Sequence, residues 1–280
     1  MGGVSPVANP AALRSPAAEP AQDLVPARIR TADGEQLAAV LLPGPDHLRG
    51  TCVILAHGFS GSSTKPDVRK VAVALARHAT VLSYDARGHG ASTGRTTLGD
   101  REVLDVDAAV AVGRVAGYAR VVTCGWSMGG SAVVRHAALR GEHVGGHRLV
   151  HAPDAVVTVS GTAAWSERGT ASRAMRRLHR IVETRSGRVF AHRVMRTRVA
   201  PQGWDPLPVS PLECVARVAP LPLLVVHGDR DAYFPVAHAE GLAAAAGAGA
   251  ELWVEAGFAH AESGATPDLL DRLGAHLARA

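Results

Sequence analysis

Residues 123–132, TCGWSMGGSA, set one serine hydroxyl among small residues directly after the run ARVV. Gly125, Ser127 and Gly129 make the pattern G-x-S-x-G, with Gly130 adding a further small residue. The pattern falls where a strand gives way to a helix, which is the context that lets such a serine act as a nucleophile. A sharp turn exposes the hydroxyl, and neighbours without bulk let strand and helix approach. The helix start also brings backbone N–H groups and the positive dipole end close to developing negative charge. A lone serine hydroxyl is a weak nucleophile, however, and needs a base that a third group orients.

Two later stretches supply those groups. VVHGDRDAYFP ends a strand with Asp229 and Asp231, and VEAGFAHAES ends the next with His260. In open α/β sheets ligands bind at the carboxyl ends of strands, so all three segments belong to one edge. The order Ser, Asp, His suits this arrangement. Asp231 is favoured over Asp229 because the residues right after His227-Gly228 finish the strand, and the second acid stands on the loop that can reach a histidine. Acyl transfer also requires two donors for the oxyanion. The N–H of Met128, next after the nucleophile, is one; the N–H of Phe59, in HGFSGS after the third strand, is the other.

The elements that position these residues alternate in kind. Two strands joined by Ala32-Asp33-Gly34 read as a hairpin. The continuous apolar run TCVILA and further strand segments (TVLSY, RVVTCGW, AVVTV, LLVVHG, ELWVE) then alternate with helical spacing such as Val68, Val71, Ala72 and Leu75. That rhythm implies a parallel sheet with helices on both faces and an antiparallel edge. It is interrupted once, by an Arg-rich segment from about Trp165 to Pro211.

HGFSG, DARGHGAS, GWSMGG, HGDRDAYFP and GFAHAE stand in one order and spacing, and from about Leu24 to Ala280 the chain resembles the α/β-hydrolase superfamily. The resemblance implies an eight-stranded, mostly parallel sheet, with Ser127 as nucleophile, His260 as base and Asp231 as its orienting acid. It implies core residues 23–161 and 212–280, and a helical cap over 162–211 inserted after the sixth strand. Tryptophan at 126, where the family frequently has histidine, and a short, very basic cap are departures that bear on substrate rather than on chemistry.

The bulk properties narrow the classes further. At 280 residues with 47% hydrophobic content the chain can bury a large core. No apolar run approaches the roughly 18–20 residues that span a bilayer. Residues 1–22 lack the basic and apolar regions of a secretory signal and read as an Ala/Pro-rich leader, so a cytoplasmic location is expected. Cys52, Cys124 and Cys214 are an odd count without a CxxC pair and read as free thiols, Cys52 and Cys124 within buried strands. Between Thr162 and Ser210 ten arginines face Glu167, Glu183 and Asp205, so the net charge of +5 is concentrated there. That surplus suits either a solvated helical face or an anionic substrate.

Other residues invite readings of their own. His57 and His227, each before a glycine, read as structural or pocket-lining; Asp85 and His89 read as a loop ordered by local hydrogen bonds. DARGHG is neither a P-loop nor a dinucleotide fingerprint. His143 and His147 stand in a Gly-rich loop with no third metal ligand near. Trp126 is either packed under the turn or a pocket wall. Met175, Phe190, Met195 and Trp204 could line an acyl pocket or pack within the cap. The expected activity is hydrolysis of carboxylic esters through an acyl-enzyme, without cofactor or metal. The expected partner is a small acyl ester or thioester, with no nucleic acid and no membrane span; the sequence does not specify the oligomeric state. Acyl thioesterase, acyltransferase, aminopeptidase or amidase, and catalytically silent binding module are the alternatives.

Overall fold

Strands covered on both faces are mainly apolar, and every run but ELWVE, which is half-buried at the edge of the sheet, folds accordingly. The computed structural model describes residues 25–45, 50–165 and 172–279; the leader over 1–22 lies outside them, as do Glu167 and Arg168. Ten strands are described: β1 (Val25–Arg30), β2 (Gln36–Leu42), β3 (Thr51–Ala56), β4 (Thr80–Tyr84), β5 (Arg120–Trp126), β6 (His143–Val144), β7 (His147–Arg148), β8 (Ala155–Val159), β9 (Leu223–Gly228) and β10 (Ala250–Glu255). Eight form one sheet in the order β1-β2-β4-β3-β5-β8-β9-β10. β1 pairs antiparallel with β2 across the Asp33-Gly34 turn, and β2 antiparallel with β4; the remaining pairs are parallel. This is the α/β-hydrolase architecture.

Alternation along each strand divides the core in two. Cys52, Ile54 and Ala56 of β3 join one apolar cluster with α2 (Glu102–Val115), α3 (Met128–Ala138) and α7 (Ala237–Ala246). Val53 and Leu55 join the other, with α1 (Pro66–Ala76) and α9 (Pro267–Arg279). All three cysteines are free and buried; burial raises the Cys52 and Cys124 thiols to about 12 and Cys214 to about 11, which makes them poor nucleophiles. The Gly-rich stretch read as a loop is instead the ribbon β6–β7, because Gly145 and Gly146 both take positive φ, as a tight hairpin turn requires.

Between β8 and β9, the segment over 162–211 carries two short helices, α4 (Arg173–Glu183) and α5 (Arg185–Arg193). Ser172 caps the first by accepting from the Met175 N–H, and Thr184 caps the second by accepting from Gly187. Two half-buried tryptophans brace the segment, one against the core and one within it. Trp204 donates from Nε1 to the Thr97 carbonyl at 2.6 Å, and Trp165 to that of Pro208 at 2.6 Å. The segment ends at a one-turn helix, α6 (Pro211–Cys214), opened by a Ser210–Glu213 capping box.

A buried carboxylate fastens α2 to α3, the helix that starts beside Ser127. Asp107 accepts from the Val150 and His151 amides at 2.9 Å each and lies 3.3 Å from His136 Nε2. Burial alone would raise this carboxyl, but the hydrogen bonds from His136 and His151 hold it down at about 2, against an ordinary 3.8. A depressed carboxyl stabilises the fold fully above its unfolded value and loses that contribution as pH falls toward its folded one. Asp107→Asn should therefore cost about 2 kcal/mol in urea unfolding at pH 7, and the gap from wild type should shrink by about 1 kcal/mol at pH 3.

Candidate active site

Ser127 sits at φ 51° and ψ −115°, between the end of β5 and the first residue of α3. That left-handed backbone is uncommon for a side-chain-bearing residue and is held from both sides. Its N–H donates to the Val159 carbonyl at 2.8 Å, and its carbonyl accepts from Ser131 at 3.1 Å. The small neighbours are required by contact. A Cβ at Gly125 would lie 2.2 Å from the Gly129 carbonyl oxygen, and one at Gly129 would lie 2.2 Å from that of Ala56. Strand β3, strand β5 and helix α3 thus meet at separations only hydrogens permit.

Three segments converge on this turn. Ser127 Oγ lies 2.9 Å from His260 Nε2, and His260 Nδ1 lies 2.6 Å from Asp231 Oδ2. Asp231 is fully buried, and its other oxygen accepts from the Tyr233 and Phe234 amides at 2.8 and 3.0 Å. Burial raises this carboxyl, yet the hydrogen bond and charge of His260 and the two amides bring it below the ordinary range. An ionised Asp231 can only accept, so His260 carries its proton on Nδ1 and leaves Nε2 bare to accept from the serine hydroxyl. Tyr233 and Phe234 flank the imidazole, with ring centroids at 4.4 and 5.7 Å. Asp229 points elsewhere, accepting from the Gly257 amide at 2.7 Å.

Met128 is the first residue of α3, and Phe59 lies on the loop after β3. Among the described residues neither amide donates to a protein acceptor. The adjacent Gly58 N–H is occupied, donating at 2.7 Å to Oε1 of Glu262, a carboxylate only 8% exposed. Sequence reasoning passed over Glu262. Its one signal is an acid two places after His260 among small residues.

The other candidates have structural posts. His57 Nε2 accepts from the Ala86 amide at 3.0 Å while Nδ1 faces the Gly58 carbonyl at 2.7 Å. His227 Nε2 faces the Phe234 carbonyl at 3.0 Å. Asp85 gathers the Ser63 and Ala91 amides, and burial holds the His89 ring far below its usual range, hence neutral. Trp126 is fully buried in the cluster shared with α1 and α9, so it packs beneath the turn and walls no pocket. Among the described residues no group of three His, Cys, Asp or Glu could hold a metal ion.

Two chambers open on Ser127. The larger, about 650 Å³, is walled by Trp165, Trp204, Met175, Val182, Leu98 and Met128. The smaller, about 520 Å³, is bordered by His260, Tyr233, Lys65, Arg177, Met195 and Glu262. Of the residues singled out earlier, Met175 and Trp204 therefore face the first and Met195 the second, whereas Phe190 is 48% exposed and faces neither. The loop of Thr96, Thr97 and Leu98 is shaped by buried Glu102, which accepts from both threonine hydroxyls and the Thr97 and Gly99 amides.

The alpha/beta hydrolase family model matches residues 53–268, and the chain belongs to that family. No curated protein matches. Among solved structures, the Pyrococcus furiosus esterase Pf2001 is similar at 23% identity, with 92% of each chain covered and a TM-score of 0.69. The alpha/beta hydrolase GrgF from Penicillium sp. sh18 is similar at 18% identity over 92% of this chain and 98% of its own, with a TM-score of 0.67. Est1E from Butyrivibrio proteoclasticus, solved with ferulic acid, is similar at 18% identity over 89% and 97%, with a TM-score of 0.58. At these identities the likeness establishes the fold. Among the described residues no helix is long and apolar enough to cross a membrane.

The close approach at the turn can be tested by adding one methyl group. Gly129→Ala should lower unfolding stability by about 3 kcal/mol, because the Cβ meets backbone that cannot yield. Gly249→Ala, where a Cβ meets nothing within 4 Å, should change the urea midpoint little.

Proposed function

We propose that this alpha/beta hydrolase is a serine esterase that cleaves carboxylic esters through an acyl-enzyme. The observation that carries the reading is the unbroken hydrogen-bond chain from Ser127 Oγ through His260 to Asp231. Ser127 Oγ attacks the acyl carbon and passes its proton to His260 Nε2. The imidazolium that forms is balanced by buried Asp231, which stays ionised because its hydrogen bonds hold its carboxyl below the ordinary range. The carbonyl oxygen, now negative, is held by the N–H groups of Phe59 and Met128, each such donor being worth about 3–4 kcal/mol in comparable sites.

Collapse of the tetrahedral species breaks the bond to the leaving oxygen, which takes the proton from His260. Water then gives a proton to the same nitrogen as its oxygen attacks the acyl carbon. Release of the acid returns the proton to Ser127, so one ester and one water yield one acid and one alcohol. No cofactor enters the cycle.

Native protein should react with a fluorophosphonate at Ser127, read by mass spectrometry of the modified peptide; a protein that stays unlabelled removes the esterase reading. Ser127→Ala should abolish ester turnover while leaving the unfolding curve in place. Asp231→Asn should lower kcat by roughly 10³–10⁴-fold because the histidine loses the partner that fixes its tautomer, whereas Asp229→Asn should stay within about threefold of wild type. The opposite ranking would reassign the acid.

A further inference from the structure

Helix α4 is a ridge between the two chambers. Met175, His179 and Val182 lie on the flank that walls the larger one, and Ala174, Arg177 and Ile181 on the flank that walls the smaller, with Leu178 at the crest touching both. Each flank follows the three- and four-residue steps of a helix. His260 borders only the smaller chamber. Because the histidine that accepts the serine proton must next deliver it to the leaving oxygen, the leaving group lies on the His260 side. The acyl group is then left the larger, mainly apolar chamber beneath Trp165 and Trp204, whose rings sit 4.6 Å apart, with Arg188, Glu183 and His179 also on its border.

The leaving-group chamber has an uneven charge. Arg177 is exposed and has no ion-pair or hydrogen-bond partner among the described residues. Lys65, opposite it on the core, donates from Nζ to the Ser60 carbonyl and has two further N–H groups. Two carboxylates also border the space. Glu262 is buried and committed to the Gly58 amide, and Asp67 is exposed in the first turn of α1, where it complements the helix dipole. Behind Arg177, α4 and α5 carry seven arginines (173, 176, 177, 180, 185, 188 and 193) against the single acid Glu183. At the rim itself two cations meet two carboxylates, and the surplus of positive charge lies on the surrounding faces of α4 and α5.

Resting on the esterase reading above, we propose that the enzyme prefers esters whose leaving alcohol bears a negative charge, read by Arg177 and Lys65, with an uncharged apolar acyl group in the opposite chamber. The charge is selected by the 162–211 segment and α1, apart from the groups that break the bond.

Two synthetic esters isolate the effect. 2-Nitrophenyl hexanoate and 4-nitro-3-(hexanoyloxy)benzoate share an acyl chain and release ortho-nitrophenols that differ by one carboxylate. After correction for their alkaline hydrolysis rates, kcat/KM at low ionic strength should favour the anionic ester by about fivefold or more, and the preference should fall in about 0.5 M NaCl. Arg177→Glu should invert the preference, whereas the same charge change at Arg30, on the distant edge strand β1, should keep it. Hydrolysis of the neutral ester with no anionic preference, or a preference that survives Arg177→Glu, overturns the inference and leaves the esterase standing. Hydrolysis of neither ester by a protein that no fluorophosphonate labels overturns both.

Discussion

The backbone of Ser127 is the constraint on which the other features depend. A non-glycine residue in so sparsely populated a conformation costs about 1–3 kcal/mol, and persists only where its surroundings determine it several times over. Here the Val159 carbonyl fixes its amide, the start of α3 fixes its carbonyl, and the contact of Gly129 with Ala56 fixes how closely helix and sheet approach. If the turn relaxed to ordinary angles, the hydroxyl would swing away from His260. The sheet order follows from the same need. β5 lies between β3 and β8, so the turn at its end is supported on both sides.

Much of this was legible in the sequence because fully buried strands are mainly apolar, and those runs end where the charged groups begin. Gly125 and Gly129 announced the tight turn, and the separation between Asp229 and Asp231 was readable as strand end against loop. What escaped depends on distances that no local pattern encodes. Glu262 meets Gly58 across 204 positions of sequence. The face chosen by Trp126 follows from which layer of helices its side of β5 meets, and spacing alone left both open. The ribbon at 143–148 was misread as loop because two glycines punctuate loops and hairpins alike.

The proposed chemistry and the proposed selection draw on different parts of the chain. The sheet edge brings together serine, aspartate and histidine from beyond the ends of β5, β9 and β10, of which β5 and β9 are buried almost throughout. The walls of the larger chamber come mostly from the 162–211 segment, which is attached to the core by Trp204, by backbone hydrogen bonds of Arg198 with Gly88 and Thr96, and by Arg135, which donates to the Val209 carbonyl at 2.8 Å. A segment held by a few anchors can change its lining without disturbing the turn, which is how one fold serves many substrates.

The most direct test of the central claim is a rapid-mixing experiment with a chromogenic hexanoate ester, read at once by released nitrophenol and by peptide mass. An enzyme working as described should show a burst of about one nitrophenol per chain, with the hexanoyl mass found on the peptide holding Ser127. Turnover without a burst and without any acyl adduct, or an adduct on another side chain, would contradict the account.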